Sequence, residues 1–141
     1  MEQPDELKIL VIDDDQDTRE RLESVLKRRG HSVLVAANGL EGLELIKKNA
    51  VDVIFSDIVM PKMDGLEFLL KIHEQTPRTE LIIMTGLPSV EWITESLDKN
   101  TVEFMSKPLT IDDVLNSLNR AKKRLQEKKE SPISNQFSPY D

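Results

Sequence analysis

The 141-residue chain contains no cysteine. Disulfides, thiolate zinc sites and cysteine nucleophiles are therefore excluded together. It also has no long apolar run: the longest is about five residues, where a bilayer span needs roughly 20. The opening Met1-Glu2-Gln3-Pro4-Asp5-Glu6 lacks the basic start and apolar stretch of a secretory signal. Positive charge is in deficit, with 19 basic against 26 acidic residues and a formal net charge of −7. A surface that coats nucleic acid needs a basic footprint, so direct nucleic-acid binding is not expected. A soluble cytoplasmic protein with no membrane partner is the expectation.

What is present fits one domain. Domains usually run about 100–150 residues, and a hydrophobic content of 38% with 32% charged residues is ordinary for a folded chain. Short β-branched or apolar runs occur at Lys8–Ile12, Ser32–Ala36, Val51–Ser56, Leu81–Thr85 and Val102–Ser106. Several are nearly continuous apolar, as strands buried on both faces should be. Amphipathic stretches lie between them, and this rhythm predicts a parallel sheet with helices on both sides.

Helix signals agree. The first helix is expected from about Asp17 or Thr18, with Leu22, Val25 and Leu26 inward and Gly30 as its stop. Asn38 is a cap for a second helix that turns Leu40, Leu43 and Ile46 inward. Asp64-Gly65 opens a third, with Leu66, Leu69, Leu70 and Ile72. Ser89 caps a fourth, with Val90, Ile93 and Leu97. Thr110 caps a fifth, with Asp113 in its first turn and Ile111, Val114, Leu115, Leu118 and Leu125 at helical spacing. From Lys122 to Glu130 five bases meet two acids and only Leu125 is apolar. That reads as a solvated helix end rather than a coiled coil, and the Ser/Pro-rich 131–141 carries no pattern. The expected division is a leader over 1–6, one domain over 7–121, and a helix extension with a tail over 122–141.

In an open parallel sheet, ligands gather at the carboxyl ends of the strands. The first predicted strand ends in Asp13-Asp14-Asp15, the third in Asp57, the fourth in Thr85-Gly86 and the fifth in Lys107-Pro108. An acidic triplet or a Lys-Pro pair alone is weak, because each is commonly a solvated turn. Chemistry-bearing residues at four strand ends of five are hard to attribute to chance. Carboxylates brought together repel unless a cation intervenes. A hard divalent ion such as Mg²⁺ suits a few carboxylates plus waters, and Lys107 adds a second positive charge. Such a site can admit a phosphoryl group, with Thr85 donating a hydrogen bond and a carboxylate as nucleophile.

These residues carry a family resemblance. Ile9-Leu10-Val11-Ile12-Asp13-Asp14-Asp15, Asp57-Ile58-Val59-Met60-Pro61-Lys62-Met63-Asp64-Gly65, Met84-Thr85-Gly86 and Lys107-Pro108 stand in order, with 44, 28 and 22 residues separating Asp13, Asp57, Thr85 and Lys107. Over about residues 7–121 the chain resembles the receiver domains of two-component response regulators. The resemblance implies a single-domain flavodoxin-like (βα)5 fold, doubly wound, with strand order 2-1-3-4-5. It makes Asp57 the phospho-acceptor, Asp13, Asp14, Asp57 and the Val59 carbonyl the Mg²⁺ ligands, Thr85 the switch hydroxyl and Lys107 the phosphoryl's counter-charge. Phe104 stands where the family has its rotating aromatic, and the Lys107–Pro108 bond is expected to be cis.

The same resemblance implies a signalling switch that catalyses only its own phosphorylation and slow autodephosphorylation. The donor would be a sensor histidine kinase or phosphotransfer protein. A downstream partner, or an output domain, would read the surface from the fourth helix through the fifth strand and fifth helix. Whether activation also pairs two copies as a homodimer is left open. Trp92, in the fourth predicted helix, is either a partner anchor or a packing residue, and His31 and His73 read as structural rather than as phosphate donors. The positions that tune phosphate lifetime in the family fall at Val59 and Leu87, both apolar and unable to orient water by hydrogen bonding. An aspartate-nucleophile phosphohydrolase would want an acid at position 59, and a flavin module would not place three aspartates after its first strand.

Overall fold

A computed structural model of the chain describes residues 6–57, 71, 78–85 and 102–130. Five strands, β1 (Lys8–Ile12), β2 (Ser32–Ala36), β3 (Val53–Asp57), β4 (Glu80–Thr85) and β5 (Val102–Ser106), form one sheet in the order β2-β1-β3-β4-β5. Every pairing is parallel. Three helices are described: α1 (Gln16–Arg28), α2 (Gly39–Lys48) and α3 (Ile111–Glu130). The third and fourth helices expected from the sequence, with Trp92, His73, Val59 and Leu87, lie outside the described residues.

Alternation along the central strands sorts their side chains into two apolar layers, because successive residues point to opposite faces. Leu10, Ile12, Ile54, Leu81 and Ile83 pack with Leu43 and Ile46 of α2. Ile9, Val11, Val53, Phe55, Ile82, Met84 and Met105 pack with Leu22 and Leu26 of α1 and with Val114, Leu118 and Ala121 of α3. Helices thus cover both faces, which gives the doubly wound, flavodoxin-like architecture. All five residues of β3 are buried, as a central strand with both faces covered requires.

Local chemistry sets the helix ends. Asn38 Oδ1 accepts from Glu41 N at 3.0 Å. At α3 the Thr110 hydroxyl accepts from Asp113 N at 3.0 Å, and Asp113 faces back to Thr110 N at 3.4 Å, a reciprocal box that satisfies helix-start donors. Gly30 closes α1 with φ +91, a conformation costly for any side chain.

Five expectations need correction. The first helix starts at Gln16, just before the expected Asp17 or Thr18, because Asp15 is its cap and accepts from Thr18 N at 3.2 Å. The third strand covers Val53–Asp57 instead of Val51–Ser56; Asp52, just before it, turns its carboxylate onto Lys8 N at 2.9 Å. Leu40 is 49% exposed, since the stripe of α2 that meets the sheet is Gly39, Gly42, Leu43 and Ile46, one helical face at 3.6-residue spacing. Ile111 is 53% exposed; the inward row of α3 begins at Val114. The segment after Lys122 is also not wholly solvated: Leu125 packs on the second layer and Arg124 pairs with Glu80.

Candidate functional site

The alternation that fills the second layer also delivers the site. Ile9 and Val11 are core, and Asp13 is the next residue on that face of β1. Val53 and Phe55 are core, and Asp57 follows them on β3. Met105 is core, and Lys107 follows it after β5. Because β1 and β3 are in register with Ile12 opposite Ser56, Asp13 comes level with Asp57. Three rows of apolar side chains thus end in two carboxylates and an ammonium at the carboxyl edge of the sheet.

Lys107 Nζ lies 2.9 Å from Asp13 Oδ2 and 2.8 Å from Asp57 Oδ2. Asp13 is fully buried and Asp57 nearly so. Burial opposes the charge on Lys107, but its hydrogen bonds to Asp57 and Asp13 outweigh it and hold the ammonium above the usual lysine range. Carboxylate oxygens of Asp13, Asp14 and Asp57 all lie within 4.8 Å of one another. Three hard oxygen donors with one neighbouring ammonium leave two negative charges, a donor set that fits a divalent oxygen-seeking ion. Asp14 is exposed, so one side of the group opens to solvent.

Asp13 is held at every polar atom. Its N–H donates to Ala36 O at 3.2 Å, Oδ1 accepts from Asp15 N at 2.9 Å, Oδ2 accepts from Lys107, and its carbonyl accepts from Arg19 Nη1 at 2.7 Å. Thr85 is the last residue of β4, in register with Ser106; its side chain lies outside the described set, as does Val59. Phe104 is half-buried on β5 and packs against the layer that α2 covers. The Lys107–Pro108 bond is cis. His31 is buried, and its Nδ1 accepts from Leu7 N at 3.0 Å; it sits before β2, at the opposite edge of the sheet from the acids.

Two groups of residues escape the sequence reading. Arg19 is one; a cation in the first turn of a helix opposes the macrodipole, and that was the available signal for a local acidic or carbonyl partner. The other is a charge lattice between α3 and the sheet. Arg124 reaches Glu80 at 2.5 Å and Glu103 at 3.1 Å, Arg120 pairs with Glu103, and Ser117 Oγ donates to Glu103 at 2.8 Å. Burial pushes the Glu103 carboxyl up, but its bonds from Arg120, Ser117 and Arg124 prevail and hold it below the usual carboxylate range.

Comparisons with known proteins follow the same lines. The family model of the response regulator receiver domain matches residues 9–119. The transcriptional regulatory protein ZraR of Klebsiella oxytoca is 34% identical over 117 residues, covering 83% of this chain and 26% of that protein. The sporulation initiation phosphotransferase F of Bacillus subtilis is 31% identical over 113 residues, covering 80% of this chain and 91% of that protein. The chain thus spans about a quarter of the first of these relatives and nearly all of the second. A receiver domain protein from Clostridium thermocellum superposes with a TM-score of 0.75 at 32% identity, covering 85% of this chain and 97% of that one. A CheY-like receiver from Methanospirillum hungatei gives 0.81 at 26% identity, covering 87% and 98%. With the sheet order, the strand-end residues and these matches agreeing, the chain belongs to the response regulator receiver domains of two-component systems.

Proposed function

We propose that the protein is a phosphorylation-controlled switch in which Asp57 accepts a phosphoryl group from the histidine of a sensor kinase or phosphotransfer protein. The observation that carries this reading is the ammonium of Lys107 set between Asp57 and Asp13, 2.8 and 2.9 Å away. A nucleophilic carboxylate must be approached by a phosphoryl group that is itself negative. Lys107 supplies a fixed positive charge at the point where the two meet.

Asp57 Oδ attacks phosphorus in line, the phosphorus–nitrogen bond of the donor breaks, and the imidazole leaves with its electron pair and takes up a proton. The product is an acyl phosphate on Asp57. Asp13, Asp14 and Asp57, with the carbonyl of Val59, would hold Mg²⁺, which neutralises charge on the phosphoryl oxygens. Lys107 then exchanges its bond to the Asp57 carboxylate for one to the phosphoryl group. Thr85 bonds another phosphoryl oxygen, and Phe104 turns further into the core. The surface running from the fourth predicted helix through β5 and α3 changes shape and is read by a downstream protein. Differential contact of this kind is required, because an input that meets both states equally shifts neither. The working unit spans residues 7–121, with 1–6 as leader and 122–141 as extension, and it acts in the cytoplasm where such kinases present their phosphohistidine.

The test is incubation with Mg²⁺ and acetyl phosphate followed by intact-mass measurement. Wild type should gain one phosphoryl group; Asp57→Asn should gain none, and EDTA should abolish the gain. An equal gain in Asp57→Asn would overturn the assignment.

A further inference from the structure

We infer that Arg19 is a positioning residue for this site: its guanidinium, bonded to the Asp13 carbonyl, fixes the peptide plane from which Asp14 projects toward the metal position. The inference rests on the reading under Proposed function. The contact is Nη1 to O at 2.7 Å, the short distance of a charge-assisted hydrogen bond. That carbonyl belongs to the peptide unit joining Asp13 to Asp14, and the unit is planar. Holding its oxygen therefore sets the direction in which the backbone of Asp14 leaves β1.

Asp14 needs this more than its neighbours do. The Asp13 carboxylate is gripped by Asp15 N and Lys107. The Asp15 carboxylate is gripped by the Thr18 N–H and hydroxyl. Asp14 is exposed, and among the described residues its carboxylate has no hydrogen-bond or ion-pair partner. Among the described residues, its backbone is what keeps its oxygen within 4.8 Å of those of Asp13 and Asp57.

Arg19 can bear the load because α1 is itself fixed. Leu22 and Leu26 are buried against the sheet, Asp15 caps the first turn, and Arg19 N donates to Asp15 O at 3.1 Å. A cation at the start of a helix is disfavoured by the macrodipole, so its place there has to be explained by what it holds. Groups that orient a metal's ligands are commonly worth about 10–100-fold in metal affinity.

Charge alone predicts the opposite. Removing a cation beside three carboxylates should tighten Mg²⁺ binding. The two effects can therefore be told apart by sign.

The experiment is isothermal titration of MgCl₂ into metal-free wild type, Arg19→Gln and Arg19→Lys. It is paired with thermal melting in EDTA and with acetyl phosphate labelling across Mg²⁺ concentrations. Arg19→Gln should weaken Mg²⁺ about tenfold, and Arg19→Lys, which keeps a donor, should regain part of it. Half-saturating Mg²⁺ for labelling should rise in step while the maximal rate stays within about twofold, because saturating metal replaces the lost restraint. Equal or tighter Mg²⁺ binding by Arg19→Gln would overturn the inference. So would a lowered melting temperature with Mg²⁺ affinity unchanged, which marks a purely structural role. If wild type itself binds no Mg²⁺ and takes no phosphoryl group, the reading beneath the inference fails, and the inference with it.

Discussion

Lys107→Met in metal-free protein isolates what the central ion contact contributes. At 2.8 Å and an effective dielectric constant near 20, each attraction of Lys107 to Asp13 or Asp57 is about 6 kcal/mol before desolvation. The repulsion between the two carboxylates, at up to 4.8 Å, is about 3.5 kcal/mol on the same scale. Most of the gross attraction is offset by taking the charges out of water, and removing one partner from a buried pair costs about 3–5 kcal/mol in practice. The Lys107 side chain is 27% exposed, so water relaxes around the site and the loss falls at the low end, about 3 kcal/mol. For a domain of this size that is a fall of roughly 10 °C in melting temperature.

Thermal denaturation followed by circular dichroism at pH 7.5 in EDTA measures it. Two further arms test the cause. Adding Asp57→Asn to Lys107→Met removes one of the two facing charges and should recover at least half of the loss. Mg²⁺ should raise the melting temperature of Lys107→Met more than that of wild type, because the ion then supplies the only neutralisation. If Lys107→Met melted within about 2 °C of wild type in EDTA, the electrostatic account of the site would be refuted.

Two further outcomes follow from the α3 charge lattice and a third from the family resemblance. Glu80 has no exposed surface and pairs with Arg124, so Arg124→Met should cost about 3 kcal/mol in urea denaturation while Glu80→Gln, which strands no charge, costs less; the reverse order would contradict the pairing. Because the Glu103 carboxyl is held below its ordinary value near 4.5, its contribution is fully present above that pH and is lost as pH falls through the lowered folded value. The stability gap between wild type and Glu103→Gln should hold steady from pH 7 to about 5 and shrink below about 4.5, as measured by urea midpoints. On the proposed function, and by the family resemblance rather than by described structure, Val59→Asn and Leu87→Glu, singly or together, should shorten the lifetime of labelled protein, because a polar side chain can orient water where an apolar one cannot; radiolabel loss over time is the readout, and unchanged decay would remove both positions from the argument.

The parallel sheet was legible because its strands are buried on both faces and read as β-branched runs such as Ile9–Ile12 and Leu81–Met84. The carboxyl-edge rule then collected Asp13, Asp57 and Lys107 from three of them, and the structure sets these within hydrogen-bonding distance. Helix caps at Asn38 and Thr110 were legible from residue type alone. Leu40 and Ile111, expected inward, are exposed because hydrophobicity does not by itself set orientation; the buried face of α2 includes Gly39 and Gly42 beside Leu43 and Ile46, and no apolar pattern reveals the two glycines. The lattice of Glu80, Glu103, Arg120 and Arg124 was illegible for a different reason. Its pairs are separated by 17 to 44 residues, and only the packing of α3 across β4 and β5 brings them together.

That lattice bears on how the site is sustained. At the amino edge of the sheet, polar groups are closed against one another: Asp52 on Lys8 N, Thr79 Oγ1 on Val51 O, His31 Nδ1 on Leu7 N, and Arg124 on Glu80. At the carboxyl edge three carboxylates face one ammonium. A chain with only about 5–15 kcal/mol of net stability can hold such an imbalance only if the rest of the sheet does not yield to it. The fully buried rows Ile9–Val11 and Val53–Phe55 meet that need, because shifting Asp13 or Asp57 away from its neighbour by one residue would turn an entire apolar row to the wrong face. The acids therefore cannot relax apart. Asp13 and Asp57 are thereby held on either side of Lys107, the fixed frame that the proposed phosphoryl transfer needs.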